Sequence, residues 1–404
     1  MSAQTELFRQ QIHDAGIPDD FSIVASHQII PAEILNEIDH FIEVFEQVTT
    51  RSEWVSYMLN NNQGISAIRR HETCFFSAWD IHIPPEHPER WQLIEFNDNG
   101  SGFLFAGLLN SIYYQNVLVN HDNNNHIIPP PPYSELCRII LNMLKAETDT
   151  FFDQKPDGMM LILDDAASLN HGKFSVEHQL MATIGREAGW ETDIESPESL
   201  QQDRERLTTN GKPTDFVINR STDFLWQSKE LQPLVKAYNK GNVYIAPNPF
   251  SYITRSDKQL LQFLSRPDWD EILAIKSNER TILSRHIPKT YLLDEDNLSQ
   301  LAEHKSEYVF KPTHGHASLG ILNRNEVGKH RLQQLISKKQ DYVAQHIAEK
   351  SELIINDYMP LWADLRVWAY KGKRYQLSGR ASVTKERLDL SPPGGWLPTF
   401  AATE

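Results

Sequence analysis

The strongest constraint in this sequence is a regular alternation of strand and helix patterns between residues 136 and 245. The segments ELCRIILNMLKAETDTFF and VEHQLMATIGREAGW space their apolar residues as helices do, whereas GMMLILDDA and DFVINR are short apolar runs typical of buried strands. Strands that alternate with helices pair in parallel, because each helix returns the chain to the same end of the sheet. We therefore predict a Rossmann-like lobe over residues 136–249.

Two further modules are predicted on either side of this lobe. Residues 1–135 begin with helical patterns and continue with two strand patterns, CFFSAWDIHI and WQLIEFN. The module ends in HDNNNHIIPPPPYSE, which we predict to be a loop or linker because its four prolines cannot continue regular structure. Residues 250–404 combine helices with strand patterns, including a hairpin in DLRVWAYKGKRYQLSGRASV. The predicted class is α/β, or α+β where the sheets are mixed.

Composition narrows the function classes. The 404 residues carry a net charge of −15, and an acidic surface repels phosphate backbones, which argues against general nucleic-acid binding but permits a local basic pocket. Cys74 and Cys137 form no zinc pattern and are expected to be reduced core thiols. The start of the chain lacks a signal-peptide pattern, and no apolar run is long enough to span a membrane. We expect a cytoplasmic protein without membrane or nucleic-acid partners, and the oligomeric state stays open.

One candidate phosphate site lies in YVFKPTHGHASLG. Lys311 ends an apolar strand, and the small residues between Gly315 and Gly320 could let backbone amides approach a polyphosphate, although an ordinary hairpin turn has the same pattern. The next strand pattern, YVAQHIAEK, contains Gln345 and could pair an adenine along its edge, or could be simply a strand.

A candidate metal site lies in the other strand pair. Glu95 and Asn97 share one face of a strand because side chains alternate, and Asp80 joins them if the two strands form a hairpin. Carboxylate and amide oxygens are ligands that Mg²⁺ accepts, but the same residues also fit a solvated polar face. Asp98 and Asn99 come next in the chain and could be a metal second shell, substrate contacts or plain turn residues. Gly100 and Gly102 are interpreted as a turn that lets substrate approach the metal ligands.

Two more groups of polar residues are candidates. Arg366 and Arg380 lie on the two arms of the predicted hairpin and could converge on one phosphate or carboxylate, although surface arginines are common. Four residues end the strand patterns of the Rossmann-like lobe, where parallel sheets bind ligands, but they could equally be capping or loop residues: Asp164, Asp165, Asn219 and Arg220.

The order of these motifs resembles one family, the circularly permuted ATP-grasp proteins related to the glutathionylspermidine synthetase ATP-grasp domain. WDIHI…LIEFNDNGSG comes first, then LILDDA…DFVINRSTDF, NPFSYITRSDKQLLQFLS, YVFKPTHGHASLGI and finally YVAQHI…DLRVWAYKGKRYQLSGRAS…PPGG, together covering roughly residues 75–400. In unpermuted ATP-grasp enzymes the Glu-x-Asn strand comes near the end of the chain, whereas here it precedes the lysine strand. The resemblance implies a pre-grasp lobe and a pair of mixed-sheet nucleotide-binding lobes.

The resemblance also implies roles for individual residues. It makes Asp80, Glu95 and Asn97 the Mg²⁺ ligands, and it places Arg366 and Arg380 against phosphate or acyl-phosphate. The nucleotide-binding set that it implies is Lys258, Lys311, Gly315, His316, Ala317, Ser318 and Gln345. One position departs from the family pattern, because Ala78 stands where the pattern has an arginine, so that charge must come from elsewhere, such as Arg380.

The activity that the resemblance implies is ATP- and Mg²⁺-dependent ligation. A carboxylate would be phosphorylated by ATP, and an amine or thiol would then attack the acyl phosphate, releasing ADP and phosphate. The expected substrates are small-molecule or peptide carboxylates and amines, whose identity the sequence does not give. The alternative is a non-catalytic ATP-grasp-like protein that binds nucleotide or serves as a scaffold, which the Ala78 departure favours.

Overall fold

A computed structural model describes residues 3–18, 21–24, 26–60, 64–72, 75–119, 126–172, 174–273, 275–314, 320–355, 359–385, 388 and 390–403. The helices are α1 Ala3–Asp14, α2 Ala32–Thr49, α3 Ser52–Asn60, α4 Phe103–Tyr113, α5 Tyr133–Phe151, α6 Ala166–His171, α7 Ser175–Glu187, α8 Gln232–Lys240, α9 Pro249–Ser251, α10 Gln259–Leu264, α11 Trp269–Leu273, α12 Ser277–His286, α13 Leu298–Glu303 and α14 Lys329–Ser337. Short π-helical turns cover Tyr114–Leu118 and Tyr252–Ser256.

The strands group into four sheets. They are β1 Gln28–Ile30, β2 Ser77–His82, β3 Gln92–Asn97, β4 Ile127–Ile128, β5 Met159–Leu163, β6 Thr192–Glu195, β7 Leu200–Asp203, β8 Arg206–Thr209, β9 Lys212–Asn219, β10 Tyr244–Ala246, β11 Thr290–Leu292, β12 Tyr308–Pro312, β13 Tyr342–His346, β14 Ser351–Ile355, β15 Met359–Tyr370, β16 Lys373–Ser382, β17 Gly395–Leu397 and β18 Thr399–Ala402.

The large sheet has the order β17-β16-β15-β2-β3, with β14 beside β15, and its pairs are antiparallel. Trp79 and Phe96 pack one face of this sheet against α2, where Phe45 lies within ring contact of both. The β15–β16 hairpin turns at Lys371 and Gly372, both with positive φ, as the sequence predicted. Because side chains alternate along each strand, the opposite face is left for the polar residues.

The Rossmann-like prediction is confirmed for the strand pairing. Strands β6, β5, β9 and β10 pair in parallel, and β7 and β8 extend the sheet as an antiparallel hairpin. Every residue of β5 is buried, because helices cover both faces of this sheet, and this burial explains its continuous apolar run.

A third, smaller sheet has the antiparallel order β11-β13-β12. Phe310 of β12 packs with Leu301, Leu332 and Leu335 of α13 and α14, which cover one face of the sheet. The other face is turned toward the large sheet. A fourth sheet, β1-β18-β4, joins both ends of the chain.

Some expectations fall only partly within the described residues. Of the predicted 121–135 loop, residues 126–132 include the short strand β4 and the prolines that lead into α5. Cys137 is a partly buried free thiol, whereas Cys74 lies outside the described residues. Across the described ranges, no helix has the length and apolarity that crossing a bilayer requires.

Candidate functional site

A cavity of about 450 Å³ lies between the polar face of the large sheet and the open face of the small sheet. Seven of the predicted site residues line it: Asp80, Glu95, Asn97, Lys311, Gln345, Arg366 and Arg380. They come from six strands in distant parts of the sequence: β2, β3, β12, β13, β15 and β16. The fold therefore brings the residues of separate motifs to one place.

The large-sheet wall carries a ladder of paired charges. Arg366 donates from Nε and Nη2 to the two Asp80 oxygens over 2.6 and 2.7 Å, and Arg380 reaches Asp80 Oδ2 over 2.9 Å. Arg380 of β16 also donates to Asp364, which lies directly opposite it on β15, over 2.5 Å. Burial alone would raise the pKa of Asp80, but the charges of Arg366 and Arg380 outweigh it and hold that pKa well below the usual range. The two arginines thus converge as predicted, but on a carboxylate of the protein.

The predicted metal ligands lie on one patch of this wall. Asp80 and Glu95 are directly opposite each other on β2 and β3, and Asn97 follows Glu95 on the same face. Glu95 also pairs with Lys258 over 2.9 Å. Two carboxylates and an amide at one cavity wall are a donor set that suits a hard divalent cation. A carboxylate oxygen can accept more than one interaction, so the set fits Mg²⁺ provided Asp80 is shared with its arginines.

The small-sheet wall carries Lys311 and Gln345. Lys311 is buried, and its Nζ donates to Gln345 Oε1 over 2.6 Å and to the Ile94 carbonyl over 3.4 Å. Burial, helped by the nearby charges of Lys258 and Lys350, lowers the pKa of Lys311 to about 8 against the attraction of Glu95 and Asp80. The ammonium therefore lies between the two sheets, next to the strand with the predicted metal ligands.

The expectation that β13 offers a free edge is wrong. Gln345 is paired with Thr290 of β11 on one side and with Val309 of β12 on the other, so β13 is the central strand of its sheet. Residues just beyond the strand, Ile347 and Ala348, line the cavity instead. Any contact with a base along this segment would come from there.

Among the lining residues that sequence reasoning missed, two are polar residues of the large sheet, His82 and Asp364. His82 donates from Nδ1 to the Ala348 carbonyl over 2.9 Å, and burial together with the Lys350 charge lowers the pKa of His82 to about 4. Asp364 accepts from the backbone and side chain of Arg380. Each lies two residues from a predicted residue on the same strand, Asp80 or Arg366, so strand alternation was the signal that would have found it.

The cavity is cationic although the chain is acidic. Among its lining residues, six side chains are lysines or arginines and three are carboxylates. The cations are Lys311, Arg324, Lys350, Arg366, Arg380 and Lys385, and the carboxylates are Asp80, Glu95 and Asp364. In a protein with a net charge of −15, such a local excess of positive charge suits an anionic ligand.

Four of the predicted nucleotide-binding residues cannot be placed. Gly315, His316, Ala317 and Ser318 lie outside the described residues. The flanking His314 and Gly320 line a separate open cleft together with Tyr252. Ala78, the departure from the family pattern, is buried in β2 opposite Asn97, and the positive charge beside Asp80 comes from Arg366 and Arg380.

The polar residues at the edge of the Rossmann-like lobe have structural partners. Arg220 pairs with Glu177 over 2.8 Å, and Asp164 lies 3.1 Å from His178. Asp165 accepts from Ser221 Oγ over 2.7 Å and from the Thr222 backbone over 3.0 Å, while Asn219 donates to the Pro247 carbonyl. Among the described residues, none of these four predicted candidates lines the cavity between the sheets.

The residues after Asn97 also have structural roles. Asp98 is buried and accepts from Ser251 Oγ and Ser256 Oγ over 2.9 Å each, and Asn99 exchanges hydrogen bonds with Arg220. Gly100 has positive φ, and a Cβ there would lie 2.4 Å from the Phe76 carbonyl oxygen. Gly102 also has positive φ, and a Cβ there would lie 2.7 Å from the Trp396 side chain. Both glycines therefore admit other parts of the chain, and the expectation that they admit substrate is wrong.

Solved structures of two synthetase-like proteins align with most of this chain. A solved glutathione synthetase-like effector from Globodera pallida, determined in its apo form, aligns over 98% of this chain and 96% of its own with a TM-score of 0.61 and 10% identity. A putative gamma-glutamylcysteine synthetase from Methylobacillus flagellatus aligns over 88% and 85% with a TM-score of 0.47 and 12% identity. No protein-family model and no curated protein sequence matches the chain.

The fold class expected from the sequence is confirmed. The chain has a mixed α/β architecture with several mixed sheets, and it shares this ATP-grasp-like fold with the glutathione synthetase-like effector. At 10% identity the likeness concerns the arrangement of the elements. The permuted order of the motifs stays a prediction.

Proposed function

We propose that this chain is an ATP- and Mg²⁺-dependent ligase that joins a carboxylate to an amine or a thiol. The observation that carries the proposal is the meeting of Lys311, Arg366, Arg380, Glu95 and Asn97 at one cationic cavity between two sheets. Phosphoryl transfer depends mainly on positioning and on stabilising negative charge, which is the chemistry that these residues offer.

In the proposed reaction, an oxygen of the substrate carboxylate attacks the γ-phosphorus of ATP, and ADP leaves. The amine or thiol then attacks the acyl carbon and loses its proton, and phosphate leaves. Lys311 and the arginine pair would hold phosphate oxygens, while Glu95 and Asn97, with Asp80, would hold Mg²⁺. The metal would supply charge neutralisation at the phosphates.

The first test is nucleotide binding measured by calorimetry with Mg-ATP. Replacing Lys311 by Met keeps most of the side-chain length but removes the charge, and we expect at least a tenfold loss of affinity, about 1.4 kcal/mol or more. Lys212→Met, at an exposed lysine of the Rossmann-like lobe, is the matched control and should bind as the unaltered protein does. Equal affinity of both variants would contradict the proposed role of Lys311.

The second test concerns the metal. The double change Glu95→Ala and Asn97→Ala should remove the dependence of ATP binding on Mg²⁺ and any ADP release. If Mg²⁺-dependent binding and ADP release both survive, the metal assignment is wrong.

One observation favours a second candidate, an ATP-grasp-like protein that binds nucleotide without ligating. Both oxygens of Asp80 already accept from Arg366 and Arg380, which leaves less of its charge for a metal. Screening amino acids, polyamines and short peptides for ADP release separates the candidates. Release with at least one substrate pair supports the ligase, whereas Mg-ATP binding without release across the screen supports the second candidate.

A further inference from the structure

Gln345 has an unusual position for a residue expected to contact a nucleotide base. Its backbone is paired on both sides within the small sheet, and the residue as a whole is 3% exposed. The side chain crosses toward the large sheet, where Nε2 donates to the Ile94 carbonyl over 3.3 Å. Gln345 therefore connects β13 to β3, the strand that carries Glu95 and Asn97.

The same amide holds the Lys311 ammonium. Oε1 of Gln345 accepts from Lys311 Nζ over 2.6 Å, and that Nζ also lies within 3.4 Å of the Ile94 carbonyl. The orientation of the amide follows from the chemistry, because an ammonium has only donors and must face the oxygen. Two of the three ammonium N–H groups are thus directed at fixed acceptors, which leaves the third for a ligand oxygen.

The acceptor is neutral, and this matters for the charge in the cavity. A carboxylate in place of the amide would cancel the lysine charge, whereas an amide fixes the ammonium and leaves its charge to act on an anion. Holding a charged group in place before the ligand arrives reduces the ordering cost of binding.

We propose that Gln345 is a positioning residue for Lys311 and makes no contact with the nucleotide base. This inference rests on the proposed function, since it assumes that the polyphosphate of ATP binds at Lys311. It replaces the adenine contact expected for Gln345 from its motif.

The binding test compares ATP with adenosine, which lacks phosphates. Gln345→Met should weaken ATP binding about tenfold and leave adenosine binding unchanged within twofold. In a Lys311→Met background, the same change should alter ATP affinity less than twofold, because the group that Gln345 positions is gone. Gln333→Met, on the exposed face of α14, is the control and should match the unaltered protein.

Equal losses of adenosine and ATP affinity in Gln345→Met would overturn the proposal in favour of a base contact. A full effect of Gln345→Met in the Lys311→Met background would overturn it as well, since Gln345 would then act independently of the lysine.

A second measurement needs no nucleotide. Labelling with an amine-directed reagent, followed by mass spectrometry, should modify Lys311 several-fold faster in Gln345→Met than in the unaltered protein, with exposed Lys212 as the internal reference. Gln345→Glu keeps the side-chain size and the acceptor oxygen, and should return labelling of Lys311 to the original rate or below. Unchanged labelling in Gln345→Met would overturn the inference. If the unaltered protein binds no ATP, the proposed function fails, and labelling still decides whether Gln345 holds Lys311.

Discussion

Two clusters of buried charge differ in what surrounds them. At the edge of the Rossmann-like lobe, Glu177 accepts from Arg220 and from the backbone of Gly102 and Leu104, and its partners are all parts of the chain. Between the two sheets, Lys311 donates to Gln345 and Arg366 donates to Asp80. These side chains also have partners in the chain, but they line a cavity of about 450 Å³. Both clusters look equally functional in the sequence, but among the described residues it is the second cluster that lines this cavity.

The comparison teaches that a polar residue at a strand end is not by itself a sign of a binding site. In the lobe, the charges hold elements together, whereas in the cavity they are held in place beside an open space. Changes in the first cluster should therefore affect folding, and changes in the second should affect ligand binding.

The largest effect is expected from Glu177→Ala. The change leaves the buried Arg220 guanidinium without its carboxylate and removes the acceptor from the first amides of α4, so we expect unfolding to become easier by about 3–5 kcal/mol. Urea unfolding measures the loss. Glu191→Ala, which breaks the exposed pair with Lys212, should cost at most about 1 kcal/mol. Comparable costs for the two variants would contradict the assignment, as would a loss of ATP affinity in folded Glu177→Ala.

A smaller effect is expected from the pH dependence of His82. Burial and the Lys350 charge lower its pKa to about 4 in the folded protein, so between pH 6.5 and 4 the unfolded chain binds more protons. The contribution of neutral His82 to the free energy of unfolding is fully present above pH 6.5. As the pH falls toward 4, this contribution decreases by about 2–3 kcal/mol. The stability difference between the unaltered protein and His82→Gln should shrink by that amount from pH 7 to pH 4. Parallel unfolding curves across this range would contradict the prediction.

The cavity can be tested further through the charge of Lys311. Burial lowers its pKa to about 8, and only the protonated form attracts phosphate, so ATP affinity should fall about tenfold between pH 7 and pH 9. Calorimetry at several pH values measures the change. Lys311→Met should bind weakly with no such dependence, and a flat profile in the unaltered protein would show that this lysine does not govern binding.

Much of the fold could be predicted from the sequence, because the burial of strands and helices determines how apolar residues are spaced along the chain. The fully buried β5 appears as a continuous apolar run, and β2 and β3 appear as alternating patterns whose polar face became the cavity wall. The resemblance to the ATP-grasp family implied that six of the cavity residues meet at one site: Asp80, Glu95, Asn97, Lys311, Arg366 and Arg380.

The rest depended on pairings between distant segments. The central place of β13 depends on β11, a strand of only three residues, and no local pattern shows that this strand covers its edge. Likewise, Asp165 accepts hydrogen bonds from Ser221 and Thr222, which lie 56 and 57 residues further along the chain, so the sequence could not show that its oxygens are already satisfied. Spacing reports which face a side chain occupies, but not what lies opposite it.

The smallest expected effect compares two consecutive residues. Asn97 faces the cavity, whereas Asp98 points the other way and accepts from Ser251 and Ser256. Asp98→Asn keeps one acceptor oxygen, and its amide can donate to a serine oxygen, so the cost should be about 1 kcal/mol of stability. Its affinity for Mg-ATP should stay within twofold of the unaltered protein. Asn97→Ala is the matched change on the cavity side, and it should weaken Mg-ATP binding while shifting the melting temperature little. If Asp98→Asn loses as much affinity as Asn97→Ala, the turn belongs to the site, and the separation between binding and packing residues at the end of β3 is wrong.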